Sequence, residues 1–319
     1  MEHLWWRKAT PHLLLRLAAH IYAGISARHL ARRKRHAVSP AIPLVSVGNI
    51  TVGGSGKTPF VVWLCKQLQQ HGYKPVILCR GDGGGLNQPR LINEKDDANL
   101  VGDEALLLAH SCHAPVIAGR DRVAASVMAQ GMGDIIILDD GFQYRQLKRA
   151  CDIVLVPSEG AGNGCLLPAG PLREPISALA RADLIVRTGD GPATPVTQAK
   201  EWRWRAHSSC FRQIRGADAS TPEKVMAVCG IARPQRFLAS LDQQGMTVED
   251  QMIFPDHYRY RSSDIERMTA KGLPVVTTGK DAVKLAAIWP EDLPLWVLPL
   301  EGEGEEGLPE AIVQTILGT

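Results

Sequence analysis

Residues 45–58, Val-Ser-Val-Gly-Asn-Ile-Thr-Val-Gly-Gly-Ser-Gly-Lys-Thr, constrain this chain more than any other stretch. An apolar run stops at Gly48-Asn49, a glycine-rich turn follows, and Lys57-Thr58 opens a stretch that reads as helix over 58–70. Strand, glycine-rich loop and helix in that order are how a phosphate-binding βα unit begins. Glycines let successive N–H groups turn inward around a phosphate with no Cβ in the way. The helix that follows adds free N–H groups and a favourable dipole. Thr51, Val52, Gly53, Gly54, Ser55, Gly56, Lys57 and Thr58 are therefore the expected nucleotide-binding residues. The Lys57 ammonium belongs at the β- and γ-phosphates, and the Thr58 hydroxyl is a candidate ligand for Mg²⁺. Thr51 stands where the strict pattern has its first glycine. The competing reading is a glycine-rich strand–helix turn that binds nothing.

The texture after Pro40 agrees with that opening. IPLVSV (42–47), PVILC (75–79), PVIA (115–118), IIIL (135–138), IVLV (153–156) and LIV (184–186) read as buried parallel strands. Segments 58–70, 103–111 and 120–130 read as the crossover helices between them, the pattern of a doubly wound α/β sheet. A Gly/Pro/Thr-rich break spans 189–200, EWRWRA then alternates like a strand, and a second α/β run begins at 225. The expected division is a basic helix at 1–36, a P-loop core at 37–190 and a smaller α/β lobe at 191–319. The last helix, near 308–317, is open to packing on either lobe.

Acids sit where such a sheet places its ligands, beyond the carboxyl ends of strands. The run 135–138 leads straight into Asp139-Asp140, an arrangement suited to holding Mg²⁺ directly or through water. The bland reading is a turn or helix cap. Gly102-Asp103-Glu104 opens a helix, and Asp256-His257 follows the apolar MIFP. Each is weak alone, but a carboxylate paired with a neutral histidine is a workable base for an alcohol. Pro168–Pro175 is a stiff loop offering Arg173 and Glu174; it either holds phosphate or metal or forms a rigid turn. Arg120 and Arg122 form a basic cluster suited to an anionic group, or a solvated helix start.

Net charge is only +3, but its distribution is uneven. Residues 1–36 carry eight Lys or Arg against Glu2, so the segment is +7 and the remainder −4. Arg16 and His20 interrupt the apolar residues of that segment, which excludes an 18-residue spanning run. Trp5, Trp6, Leu13, Leu14, Leu17, Ile21 and Ile25 are expected to form one apolar side of an interfacial helix on an anionic membrane surface. The alternative is a helix packed on the core with a solvated basic tail. Seven cysteines with no CxxC spacing fit a reduced compartment, with neither zinc site nor disulfide framework expected.

The motifs GNITVGGSGKTP, GDE, LDDGFQ, LPAGPLREP, FPDHY and KDAVK, in this order, resemble the tetraacyldisaccharide 4′-kinase family. The resemblance implies transfer from Mg²⁺-ATP to the 4′-hydroxyl of a tetraacylated glucosamine disaccharide 1-phosphate, a lipid substrate, in lipid A biosynthesis. It implies a peripheral enzyme on the cytoplasmic face of the inner membrane. By matching motifs, Lys57, Asp103 and His257 are catalytic. Thr58, Asp139, Asp140 and Glu174 are metal ligands. Arg120, Arg122, Gln143 and Arg173 contact phosphate or sugar. A monomer with no nucleic-acid partner is expected. Asp82, Tyr144, Tyr258 and Gly279 depart from the family pattern. A soluble kinase for a small metabolite, a nucleotide-switch GTPase and a purely structural membrane-binding protein are the rivals.

Overall fold

The computed structural model describes residues 5–6, 10–189, 197, 199–217 and 219–318. Its strands in chain order are β1 (Leu44–Asn49), β2 (Pro75–Cys79), β3 (Arg90–Leu91), β4 (Val116–Ala118), β5 (Ile135–Asp139), β6 (Cys151–Pro157), β7 (Leu184–Thr188), β8 (Glu201–Ser208), β9 (Arg212–Arg215), β10 (Lys224–Cys229), β11 (Thr247–Ile253), β12 (Val275–Thr278), β13 (Leu295–Leu298) and β14 (Leu300–Gly304). Nine of them form one sheet in the order β14-β8-β7-β6-β1-β5-β2-β4-β3, and five form a second, β11-β10-β12-β13-β9. From β8 to β4 the large sheet is parallel, and β14 and β3 close its edges antiparallel.

Both faces of the large sheet are covered, which explains why its strands are apolar without alternation. Ile135 and Ile137 face a core with Phe60, Leu64 and Leu68 of the helix Lys57–Gln70 and with Leu106 and Leu108 of the helix Asp103–Cys112. Ile136 and Leu138 face the other way, onto Ala125, Ala129 and Leu147. The last helix, Leu308–Leu317, packs on the large sheet's core through Leu308 and Ile312.

The boundary expected at 190–191, and most of the break at 189–200, fall outside the described residues. Two strands from the expected C-terminal lobe belong to the large sheet: β8 lies beside β7, and β14 lies beside β8. The five-stranded sheet draws only on 212–298. The smaller lobe is thus an insertion between two strands that pair with each other. Ser209 N–H donates to Pro299 O at 3.0 Å where the chain leaves and re-enters.

The N-terminal helix runs Leu13–Arg35 and buries only Ala19. Leu13, Leu14, Leu17, Ile21 and Ile25 are all exposed, and Arg32, Arg33, Lys34 and Arg35 form its last turn. Trp5 and Trp6 do not continue this apolar side as expected. Pro11 and an extended His12 separate them from the helix, since the residue before a proline disfavours helical geometry. The Trp5 carbonyl instead accepts from Asn163 N–H at 2.8 Å, and the Trp6 ring lies 5.3 Å from the Arg233 guanidinium. No described helix is long and apolar enough to cross a membrane.

Candidate active site

The phosphate loop leaves β1 through Gly48, where a Cβ would sit 2.5 Å from that of Phe142. Gly53 and Gly56 have φ of +93° and +78°, the left-handed conformations that only glycine adopts at little cost. Thr51 needs no such freedom. It is buried and forms an antiparallel bridge with Leu172, which accounts for a threonine at the position of the usual glycine. Val52 N–H donates to Pro171 O at 2.8 Å, and Arg173 N–H donates to Ile50 O at 2.7 Å. The stiff loop at 168–175 is therefore a brace along the phosphate loop. Asn49 Nδ2 donates to Ser55 Oγ at 2.7 Å, and Thr188 Oγ1 donates to Ser55 O at 3.0 Å.

At the end of β5 the two acids have opposite surroundings. Asp140, at φ +48°, receives Lys57 Nζ at 3.4 Å and Arg173 Nη1 at 3.1 Å. Burial pushes its pKa up, but Lys57 and Arg173 outweigh it and hold the carboxyl at about 2. Asp139 is lifted to about 7 by burial first, then by Glu104 and Asp140, against the pull of Lys57. Among the described residues no three His, Cys, Asp or Glu converge as a metal cage. The oxygen donors of Thr58, Asp139 and Asp140 suit Mg²⁺, which usually takes one or two carboxylates and completes its shell with phosphate and water.

Glu174 lies close by, but both of its oxygens are engaged. Gln143 Nε2 donates to one at 3.1 Å, and Arg181 Nη2 pairs with the other at 2.8 Å. Gln143 also donates to Asn49 O at 2.9 Å. These two predicted site residues thus underpin the end of β1. Arg122 is buried with its guanidinium 5.1 Å from the Tyr144 ring centre, while Arg120 is exposed. Burial lowers the Arg122 pKa, and the Asp140 charge opposes that. Tyr144 also accepts the Arg122 backbone N–H at 3.1 Å and lies 5.7 Å from the Arg33 guanidinium of the N-terminal helix. The departure at 144 therefore carries a packing role.

The two lobes meet at Asp103 and His257. Asp103 opens its helix behind Gly102, and His257 is held at φ +58° after β11. His257 Nδ1 lies 3.0 and 3.1 Å from the two Asp103 oxygens, which fixes a proton on that nitrogen. Lys280 Nζ is 3.2 Å from Nε2, 3.0 Å from Asp256 and 3.4 Å from Glu104. Lys284 Nζ is 3.4 Å from Asp103 Oδ2 and 3.0 Å from Asp281. The Asp103 bond raises the His257 pKa against burial and Lys280. Burial would raise Asp103, but His257, Lys280 and Lys284 hold it below its ordinary value. The sequence motif KDAVK pointed to this stretch without giving its lysines a role. Their spacing of four residues on one helix was the available signal.

Comparison with known proteins gives the family. The family model described as Tetraacyldisaccharide-1-P 4'-kinase matches residues 11–317. Tetraacyldisaccharide 4'-kinase of Azoarcus sp. (strain BH72) is 39% identical, over 98% of this chain and 94% of that one. The enzyme of the same name from Halorhodospira halophila is 38% identical, over 94% of this chain and 91% of that one. A crystal structure of LpxK from Aquifex aeolicus in complex with ATP superposes with a TM-score of 0.79 at 28% identity, covering 93% of this chain and 97% of that one. With a braced phosphate loop, paired acids at the end of β5 and an acid–histidine pair between the lobes, this chain belongs to the tetraacyldisaccharide 4′-kinase family.

Proposed function

We propose that the chain transfers the γ-phosphoryl group of ATP to the 4′-hydroxyl of a tetraacylated glucosamine disaccharide 1-phosphate. The observation that carries this reading is the Asp103–His257 pair at 3.0 Å, which joins the second lobe to the lobe that holds the phosphate loop. Asp103 takes the proton of the attacking hydroxyl, and His257 orients it and compensates its charge. Lys57 and Arg173, which both pair with Asp140, are the cations that meet the phosphate oxygens of the nucleotide. Thr58, Asp139 and Asp140 would hold Mg²⁺, which would supply charge neutralisation at the β- and γ-phosphates. Glu174 and Gln143 act on this centre through Asn49 and the loop above it. Arg122, stacked on Tyr144, supports the acceptor's anionic groups, and Arg120 extends that basic surface.

The exposed apolar stripe and basic end of the helix Leu13–Arg35 suit a peripheral seat on anionic lipid at the cytoplasmic face of the inner membrane. A kinase for a small soluble metabolite has no use for that stripe. The deciding assay is incubation with γ-labelled ATP and the tetraacyldisaccharide 1-phosphate. Label is expected in the lipid. Bound ATP with no label in the lipid would overturn the reading.

A further inference from the structure

The loop after β10 brings a further cation to the phosphate loop. Arg233 stands just ahead of the helix Pro234–Gln243. Its Nη2 lies 3.8 Å from the point a Cβ on Gly53 would occupy. Its Nη1 is 2.9 Å from Glu159 Oε1, and Arg236 Nη2 shares that same oxygen at 3.0 Å. Among the described residues Glu159 is the only carboxylate paired with either arginine, so one positive charge is left over beside the loop. The base of this arm is fixed: Gly230 N–H donates to the Asp281 carboxylate at 2.9 Å, and Asp281 accepts the Tyr260 hydroxyl at 3.0 Å. Trp6 lies under the guanidinium and limits the directions it can take.

A planar arginine fork matches phosphate oxygens in a way a point charge does not. An arginine supplied from outside the phosphate loop is a recurring means of stabilising the transferring phosphoryl group. Gly53, with no side chain and φ of +93°, leaves the approach open. We propose that Arg233 is a nucleotide-contacting catalytic residue, which leaves Glu159 for the γ-phosphoryl oxygens when ATP binds. In the transfer it contacts, the bond from γ-phosphorus to the acceptor oxygen forms and the bond to the β,γ-bridging oxygen breaks. The electrons of the broken bond stay with ADP, the hydroxyl proton goes to Asp103, and Arg233 keeps its protons. The inference rests on the phosphoryl-transfer reading. It adds that a residue of the second lobe reads the terminal phosphate, so transfer needs both lobes at the nucleotide.

The test uses the full-length chain with Arg233→Gln, Arg233→Lys and Glu159→Gln. Glutamine removes the charge and the guanidinium fork while leaving a polar side chain that the surface position tolerates. R233Q is expected to lower kcat by ~10²-fold or more, the scale for losing one aimed donor. KM for the lipid should not move, and R233K should recover part of the loss. Binding is read separately, as the affinity ratio of a non-hydrolysable ATP analogue to ADP. Wild type should favour the analogue, and R233Q should narrow that ratio. E159Q should keep transfer. A wild-type kcat and affinity ratio in R233Q would overturn the proposal, as would an E159Q defect equal to that of R233Q, which would mark the arginine as an ion-pair strut. Absence of lipid label with wild type would count against the kinase reading alone, because the affinity ratio still judges Arg233.

Discussion

At the scale of single residues, the Asp103–His257 pair supports two measurable expectations. Asp103→Asn removes the proton acceptor at constant shape, so kcat should fall by ~10²–10⁴. Affinity for ATP should hold, because Asp103 lies outside the phosphate loop. Near-wild-type turnover in D103N would sink its role as base. The pair should also tie stability to pH. His257 is raised above its ordinary 6.5, so its contribution is complete below that value and is lost as pH rises through the folded pKa. Asp103 is lowered below 3.8, so its contribution is complete above that value and is lost as pH falls through the folded pKa. Both are whole only between 3.8 and 6.5. Denaturant unfolding should show His257→Asn most destabilised relative to wild type at pH 5 and least at pH 9. Equal destabilisation at both would mean that the imidazole contributes packing alone. Such pairing was only partly legible in the sequence. Asp103 and His257 each sit in an ordinary-looking tripeptide, and only the fold brings positions 154 residues apart to 3.0 Å. Lys280 and Lys284 are legible only as far as their four-residue spacing, which puts both on one helix face without saying that this face meets the other lobe.

At the scale of elements, the parallel strands and their helices were readable because burial on both faces leaves runs such as Ile135–Leu138 with no other use. Where β8 and β14 belong was not readable. EWRWRA alternates the same way in either sheet, and Leu295–Leu298 and Leu300–Gly304 are separated by one proline yet join different sheets. The N-terminal helix shows another limit. Its periodic apolar residues marked a stripe, but the break at Pro11 turned the two tryptophans toward the protein. The exposed stripe predicts its own test. Leu14, Leu17 and Ile21 already face water, so changing all three to Gln should alter stability by no more than ~0.5 kcal/mol per site. Burying such a side chain fully in an apolar medium yields about 1.5–3 kcal/mol, so the triple variant should lose at least ~10-fold in partitioning onto anionic vesicles. Co-sedimentation equal to wild type would remove this helix from membrane binding.

At the scale of the whole molecule, the second lobe is inserted into a hairpin. The chain departs after Ser208 and returns at Leu300, and these two residues are register partners on adjacent antiparallel strands. Their separation is about 5 Å, the span that a two-residue turn closes. Residues 209–299 can therefore be replaced by Asn-Gly without moving either end of the large sheet. The phosphate loop, its brace and the acids of β5 all lie in the part that remains, whereas His257, Lys280 and Arg233 leave with the lobe. The shortened chain should unfold cooperatively and bind a non-hydrolysable ATP analogue, with Lys57→Ala in the same background abolishing the binding. An analogue at 100 times its Kd should stabilise it by about 2.7 kcal/mol. Lipid phosphorylation should vanish, since the group that orients Asp103 is gone. A shortened chain that folds but still labels lipid would place the whole chemistry in the first lobe. One that folds but ignores the analogue would mean that the phosphate loop takes its shape from contacts across the lobes.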